Sequence, residues 1–308
     1  MPRTIAHLPQ DDNTNGWSAL LPPRTPTAPL QGDLKVDWLI IGAGYAGLNA
    51  ARRLAEAEPG ASIAVVDSGV VGENASGRNS GFAIDLPHSS APSDAAVEAG
   101  RRVIRVNRFA VDQLDRLVNE QGVDCAWDKR GRYHVAVTEQ VANESLKPYV
   151  RNLETWNEPH EYLTRDALRQ RLGTDYYAAA VYTPGTHLLN PAALVRGMAD
   201  TLPANVKLFE KSAVIEAELQ GTAPYARTAH GRINAGRVIL TVNAFSQSFG
   251  VWRERQVPVL LFVSLTHRLT PAQLAQLGSD TAWGVTPAHG VAGSTVRLTH
   301  DGRLMIRQ

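Results

Sequence analysis

Apolar residues recur with two different periods along this chain, and the alternation between them predicts the fold. Val36 to Ile41 is a compact apolar run broken at Gly42, Tyr45 to Glu58 carries Ala46, Leu48, Ala50, Ala51 and Leu54 at helical spacing, and Ala61 to Val66 is apolar again. A strand, helix and strand joined by tight turns predict parallel pairing through a crossover. From Asp94 to Glu120 the residues Val103, Val106, Ala110, Leu114 and Leu117 recur every three or four positions, as a long amphipathic helix covering a sheet face requires. Arg132 to Val137 alternates as a strand. Glu139 to Trp156 reads as helix, bent or divided by Pro148, and Thr164 to Leu172 as a short helix. Asn190 followed by Pro191 caps a helix over Ala192 to Leu202. Strands are predicted at Val206 to Phe209, Ala213 to Leu219, Arg237 to Val242, Val259 to Leu265 and within Thr295 to Ile306.

This order predicts an α/β fold, α+β overall, in which a Rossmann-like domain interleaves with a mixed or antiparallel-sheet domain. The expected boundaries are a lead over 1–32, a first domain over 33–122 and 185–250, and a second over 123–184 and 251–308. The run Leu260 to Val263 is read as a buried strand of the second domain. Trp127, Trp156, Trp252 and Trp283 are read as packing residues, since their spacing brings no cage together.

Composition narrows the function. Of the 308 residues, 44% are hydrophobic and 20% charged, a globular profile, and the net charge of +1 offers no field to gather nucleic acid or anionic membrane. Partners are therefore expected among small molecules. Cys125 is the only cysteine, so no intramolecular disulfide and no thiolate metal cluster can form; a metal site is not expected, and the cytoplasm is the default compartment. The polar, Pro-rich stretch from Met1 to Gln31 has no signal-peptide core. No apolar run approaches the ~20 residues of a membrane span.

The chemistry is carried by Gly42, Ala43, Gly44, Tyr45, Ala46 and Gly47, a G-x-G-x-x-G where a strand hands over to a helix. Gly42 permits the tight turn, Gly44 lets backbone approach a pyrophosphate, and Gly47 lets helix and strand pack closely. The helix N-terminus then stabilises the anion without a lysine. Asp67 closes the second strand, about twenty residues on, where an acid accepts hydrogen bonds from ribose hydroxyls and repels a 2′-phosphate. NAD and FAD share this fingerprint. The polar loop Asn74 to Phe82 can wrap a pyrophosphate or be an ordinary surface loop, and residue physics leaves the two level.

The run from Asp37 to Leu54, then Asp67, then Ala75 to Gly81 resembles the FAD-binding start of the D-amino-acid oxidase and glycine oxidase superfamily. Within it the chain is most similar to gamma-glutamylputrescine oxidase-like proteins, through Trp17 and Pro22, Leu189 to Gly197, Arg237 to Phe245, and Trp283, Gly284, Thr286 and Pro287 followed by Arg297 to Arg303. The resemblance implies FAD as cofactor, with Gly42, Gly44 and Gly47 at the pyrophosphate and Asp67 with Ser68 on the adenosine ribose. It places Ser76, Arg78, Asn79 and Ser80 along the pyrophosphate and ribityl chain, Gly81 and Phe82 at the isoalloxazine, the Val214 backbone at the adenine, and Thr241 and Asn243 at the end of a strand running toward the flavin.

It further implies oxidation of the C–N bond of a small amine or amino acid. A hydride passes to flavin N5, the imine is hydrolysed, and O2 reoxidises the flavin to give H2O2. Family members continue past the strand near Arg307 with a further Gly-rich strand and helix, so a C-terminally truncated chain with weak flavin retention is expected. His88, His267 and Arg297 are the candidates for the substrate side, each with a plainer reading: a surface histidine for the first two, an ion pair with Asp301 for the third. A dehydrogenase of the same fold with another electron acceptor, and an inactive dinucleotide-binding remnant, stand as alternatives.

Overall fold

The computed structural model describes residues 2–87, 94–288 and 293–308, and the chain forms two compact units. The first comprises Met1–Asn79, Gln121–Cys125 and Asn190–Leu260, the second Ser80–Glu120, Ala126–Leu189 and Leu261–Gln308. Residues 80–120 thus group with the second unit, where the sequence pattern had placed them in the first. Ile104 explains this locally, because it packs with Leu146, Tyr149, Leu153 and Trp156 of the second unit.

In the first unit the strand Gly32–Ile41, the helix Tyr45–Ala57 and the strand Ile63–Val66 form the expected parallel crossover. Val206–Phe209 pairs parallel with Ile63–Val66, and Gly231–Leu240 pairs parallel with Gly32–Ile41 over almost its whole length. Tyr225–Arg227, Glu216–Glu218 and Arg3–Thr4 extend this seven-stranded sheet antiparallel. Parallel strands covered on both faces read as continuous apolar runs, which is why Ile63–Val66 is buried at all four positions. Asn190 caps the helix Pro191–Asp200 as predicted, its Oδ1 accepting from the Ala193 N–H at 3.1 Å with Pro191 in the first turn.

The second unit is built on a seven-stranded sheet, antiparallel except where Trp283–Pro287 runs parallel to Arg132–Ala136. Arg132–Ala136 is buried at every position because both faces are covered. Ala136 meets the cluster around Leu146 and Leu153, while Tyr133 and Val135 meet Leu163, Leu168 and Trp283. A three-stranded sheet of Phe82–Ala83, His187–Leu188 and Asp128–Lys129 completes the unit. Pro148 divides its helix as expected. Glu139–Val141 widens into a π turn over Ala142–Leu146, and Pro148 then enters the first turn of Lys147–Trp156, where its missing N–H costs nothing.

Three expectations fail. The long helix Asp94–Gln121 buries Ile104, Val111 and Val118, whereas Val103, Val106 and Ala110 face solvent and Leu114 and Leu117 are half-buried. Two apolar stripes lie side by side on this helix, and its neighbours select the one spaced by seven. The run read as a buried strand is mostly exposed: it pairs only from Phe262 to Leu265, at a sheet edge, while Val259, Leu260 and Phe262 are 69%, 78% and 70% exposed. Trp252 is exposed as well, whereas Trp156 and Trp283 are buried.

The Pro-rich lead is docked by a carboxylate that the pattern gave no reason to single out. Glu210, fully buried, accepts from Arg24 Nη1 at 2.8 Å, from the Thr27 N–H at 2.6 Å and from the Val71 N–H at 2.7 Å. A buried charge is tolerable only with such a complete set of donors, and removing one partner costs about 3–5 kcal/mol. Glu210→Ala is therefore expected to lower unfolding stability by about that amount. It should also expose residues 12–30 to limited proteolysis in the folded protein, and an unchanged digestion pattern would refute this role.

Candidate functional site

The handover from Ile41 to Tyr45 is clamped from three sides. Gly42 sits at φ +106° and donates its N–H to the Val66 carbonyl at 2.8 Å. A Cβ there would stand 2.6 Å from the Thr241 carbonyl oxygen, and one at Gly47 would overlap the Gly42 carbonyl oxygen. The close helix–strand approach expected of Gly47 is thus real. From the adjacent strand, Thr241 Oγ1 lies 2.9 Å from the carbonyls of both Ile41 and Gly42, and the Thr241 N–H also reaches Ile41.

Asp67 is the third clamp. Its Oδ2 accepts from the Ala43 N–H at 2.7 Å and its Oδ1 from the Gly69 N–H at 2.9 Å. The carboxylate therefore faces the glycine turn and binds its backbone. Each oxygen keeps a second lone pair.

Leu48 is the first residue of the helix whose N–H is taken up internally, by Gly44. Ser76 Oγ accepts from the Tyr45 N–H at 3.1 Å. The N–H groups of Ala46 and Gly47 have no partner among the described residues. With the helix dipole behind them, they are the donors that an anion at this turn would meet. Gly44 is the floor of this cradle, since a Cβ there would meet only the Ser76 hydroxyl, at 2.7 Å.

The remaining predicted residues disperse. Arg78 does not face the turn: its guanidinium donates to Asp11 at 2.8 Å, to Asp12 at 2.9 Å and to the Glu73 carbonyl at 2.6 Å. The Thr14 hydroxyl and then Arg78 hold the Asp12 carboxyl down to about 2. Asn79 donates to the Ser76 carbonyl at 2.7 Å, and its own carbonyl accepts from Trp17 Nε1 at 2.9 Å. Ser68 is half-buried in the turn after Asp67. The N–H and carbonyl of Val214 have no hydrogen-bond partner among the described residues, although its side chain is buried. Asn243 is exposed, at φ +48°.

Ser80, Gly81 and Phe82 belong to the second unit, where Phe82 pairs with Leu188. Arg297, buried in that unit, donates Nη1 to the carbonyls of Leu189 at 2.6 Å and Gly81 at 3.1 Å, and burial pushes its guanidinium down to about 10. Asp301 is engaged instead by Arg303 at 3.0 Å and Arg268 at 3.4 Å, which corrects the ion pair expected between Arg297 and Asp301. His267 is exposed beyond Val263–Leu265, and neither it nor Arg297 lines the cavity of about 290 Å³ between Asp85, Arg108 and His187. His88 lies outside the described residues.

Sequence reasoning missed Asn15 and the role of the Tyr45 hydroxyl. Asn15 donates to the Gly72 carbonyl at 2.7 Å, and the Tyr45 hydroxyl to the Pro191 carbonyl at 3.1 Å. No local pattern marks either, because each partner is remote in the chain.

The family described as FAD dependent oxidoreductase matches residues 37–308, and the chain belongs to that family. Among curated relatives, gamma-glutamylputrescine oxidoreductase of Escherichia coli is 29% identical over 70% of this chain and 51% of its own length. A probable oxidoreductase, OrdL, of Haemophilus influenzae is 26% identical over 77% of this chain and 56% of its own length. The chain thus spans about half the length of the curated relatives it matches. Its fold is similar to that of glycine oxidase from Geobacillus kaustophilus, with a TM-score of 0.70 and 18% identity, covering 89% of this chain and 70% of that one. L-proline dehydrogenase from P. horikoshii gives a TM-score of 0.68 at 15% identity, covering 90% and 70%.

The family's cofactor fits the cradle: a floor without Cβ, two open N–H donors and a facing carboxylate suit a dinucleotide pyrophosphate. Two glycine variants separate fold from binding. Gly44→Ala displaces only a hydroxyl tip, so unfolding stability should stay within about 1 kcal/mol while FAD binding weakens by about tenfold or more. Gly47→Ala meets backbone, and should lose about 1–3 kcal/mol of stability along with FAD. Denaturant titration and FAD equilibrium binding check both; equal FAD affinity in Gly44→Ala and the parent would remove the cradle from cofactor binding.

Proposed function

We propose that this chain acts as an FAD-dependent oxidoreductase on the C–N bond of a small amine or amino acid, with O2 as the electron acceptor. The observation that carries the reading is the glycine cradle, whose Ala46 and Gly47 N–H groups have no partner among the described residues while the Asp67 carboxylate holds the same turn. The matched relatives support the substrate class, since their names describe enzymes acting on gamma-glutamylputrescine, glycine and L-proline. When bound, the flavin supplies the hydride acceptor and is afterwards reoxidised, with H2O2 formed from O2.

The residues of the first unit have separate tasks in this reading. The Ala46 and Gly47 N–H groups and the Ser76 hydroxyl hold the pyrophosphate, whose charge the helix dipole offsets. Asp67, with Ser68 beside it, accepts from the ribose hydroxyls through the lone pairs that Ala43 and Gly69 leave free. The Val214 N–H and carbonyl offer a donor and an acceptor to the adenine edge. Thr241 is a positioning residue that holds the turn in shape. Arg297 likewise positions backbone at Gly81 and Leu189, and is not carried forward as a substrate ligand. The cytoplasm remains the proposed compartment, where the lone buried Cys125 stays a thiol. No described helix is long and apolar enough to cross a membrane.

A visible spectrum of the full chain titrated with FAD, followed by anaerobic addition of polyamines, acylated polyamines and amino acids, tests the reading. Saturable flavin binding, bleaching by one of these classes and peroxide on admitting air are expected. Bleaching with reduction of a dye but no peroxide would replace O2 by another acceptor. Failure of every amine to bleach a bound flavin would end the proposal.

A further inference from the structure

The helix Asp94–Gln121 buries the stripe of Ile104, Val111 and Val118 and leaves the opposite face in solvent. Along that outer face Glu98, Arg102, Arg105, Phe109, Asp112 and Arg116 follow one another at alternating steps of four and three residues, and all of them are exposed. Such steps keep side chains in one line along a helix. Beside the line lie Val103, Val106 and Ala110, apolar and also exposed. Val106 and Phe109 are 66% and 63% exposed, so the middle of the helix presents an apolar patch rimmed by charge.

Reversed end for end, this line is its own complement. About a centre at Asn107, Glu98 mirrors Arg116, Arg102 mirrors Asp112 and Arg105 mirrors Phe109. Two copies of one helix laid antiparallel about a twofold axis meet through such mirror positions, and each edge meets the same edge of its mate. The charged edges then set acid against arginine on both sides of the axis and a guanidinium over each Phe109 ring. The apolar edges bring Val103 against Ala110 of the second copy and Val106 against Val106. A parallel pairing would instead oppose Arg102 to Arg102 and Asp112 to Asp112. Arg102, Asp112 and Arg116 have no ion-pair or hydrogen-bond partner among the described residues, and Glu98 is held only loosely, by Arg101 at 3.8 Å and Arg105 at 4.0 Å. The other arginines here are committed: Arg101 donates to the Thr155 carbonyl at 3.2 Å, and Arg108 forks onto Glu158. Positions 94 and 120, both acidic, stand beyond the paired stretch, where helices crossing at about 20° diverge.

We propose that two copies of this chain associate through this helix, antiparallel about a twofold axis near Asn107, with Val106 and Phe109 at the centre and the Arg102–Asp112 pairs fixing the register. An anionic membrane fits this face less well, because Glu98 and Asp112 interrupt the arginines and would oppose the lipid charge. The pairing uses no residue of the glycine cradle and stands or falls apart from the flavin reading.

The test follows the mass of the purified full chain by sedimentation velocity over a range of concentrations. A reversible monomer–dimer equilibrium is expected. Arg102→Asp and Asp112→Arg each bring like charges together across the axis, and each should weaken the dimer by about tenfold or more. Both changes in one chain restore the complement, so the double variant should return to within about threefold of the parent. Mixing the two single variants should yield the mixed dimer in preference to either homodimer. Should a reversal fail to fold, Val106→Cys decides: the only other cysteine, Cys125, is buried, so mild oxidation should join the dimer through position 106. A chain that is monomeric at every concentration would overturn the proposal. So would a dimer that the single reversals leave unchanged, that the double variant does not recover, or that Val106→Cys does not cross-link. A monomer that sediments with phosphatidylserine vesicles would reassign the face to a membrane.

Discussion

The contact on which the first unit depends is the approach of helix Tyr45–Ala57 to the end of strand Gly32–Ile41, so close that the Gly42 carbonyl takes the space a Cβ on Gly47 would need. That contact brings the first turn of the helix, with its uncommitted N–H groups, over the edge of the parallel sheet. Thr241 and Asp67 then hold the turn from the two neighbouring strands, one by a hydroxyl on its carbonyls and the other by a carboxylate on its N–H. The turn beneath those N–H groups is held in shape from both neighbouring strands, so the backbone that would meet a phosphate is fixed by the sheet.

Buried charge plays a comparable structural part in both units. Glu210 gathers Arg24, Thr27 and Val71 and ties a Pro-rich lead with little secondary structure to the sheet. In the second unit Arg132, fully buried, donates to Tyr149 at 3.2 Å and Thr286 at 3.3 Å, while Arg108 bridges Glu158 and Asp85. Such groups contribute little net stability against an apolar replacement, but leaving one unpaired is costly, so they fix which segments lie together. The exposed run from Val257 to Leu261 shows the converse, since its apolar character alone makes no strand.

The glycine fingerprint, the crossover that frames it and the acid after the second strand could be read directly from the chain, because a tight turn, a helix start and a strand end impose residue types at fixed short spacing. The same held for Asn190 as a cap and Pro148 as a divider, whose effects reach only one helical turn. Local rules also misled. The helix Asp94–Gln121 has two apolar stripes, and nothing within it tells which one faces the protein. Arg78 sits in a loop of the right composition, yet Asp11 and Asp12, far back in the chain, claim its charge.

By itself the sequence determined the class of fold, the position of the cradle and a dinucleotide as the kind of cofactor suited to it, all of which follow from backbone geometry within a few tens of residues, while FAD in particular came from the family resemblance. Only the tertiary structure decided that Thr241 clamps the turn, that Arg297 serves the carbonyls of Gly81 and Leu189, and that Asp85 and His187 share a cavity. Those pairings join residues about one hundred to more than two hundred positions apart. Which of several chemically equivalent partners a hydrogen-bonding group meets is set by packing, and no local spacing encodes it.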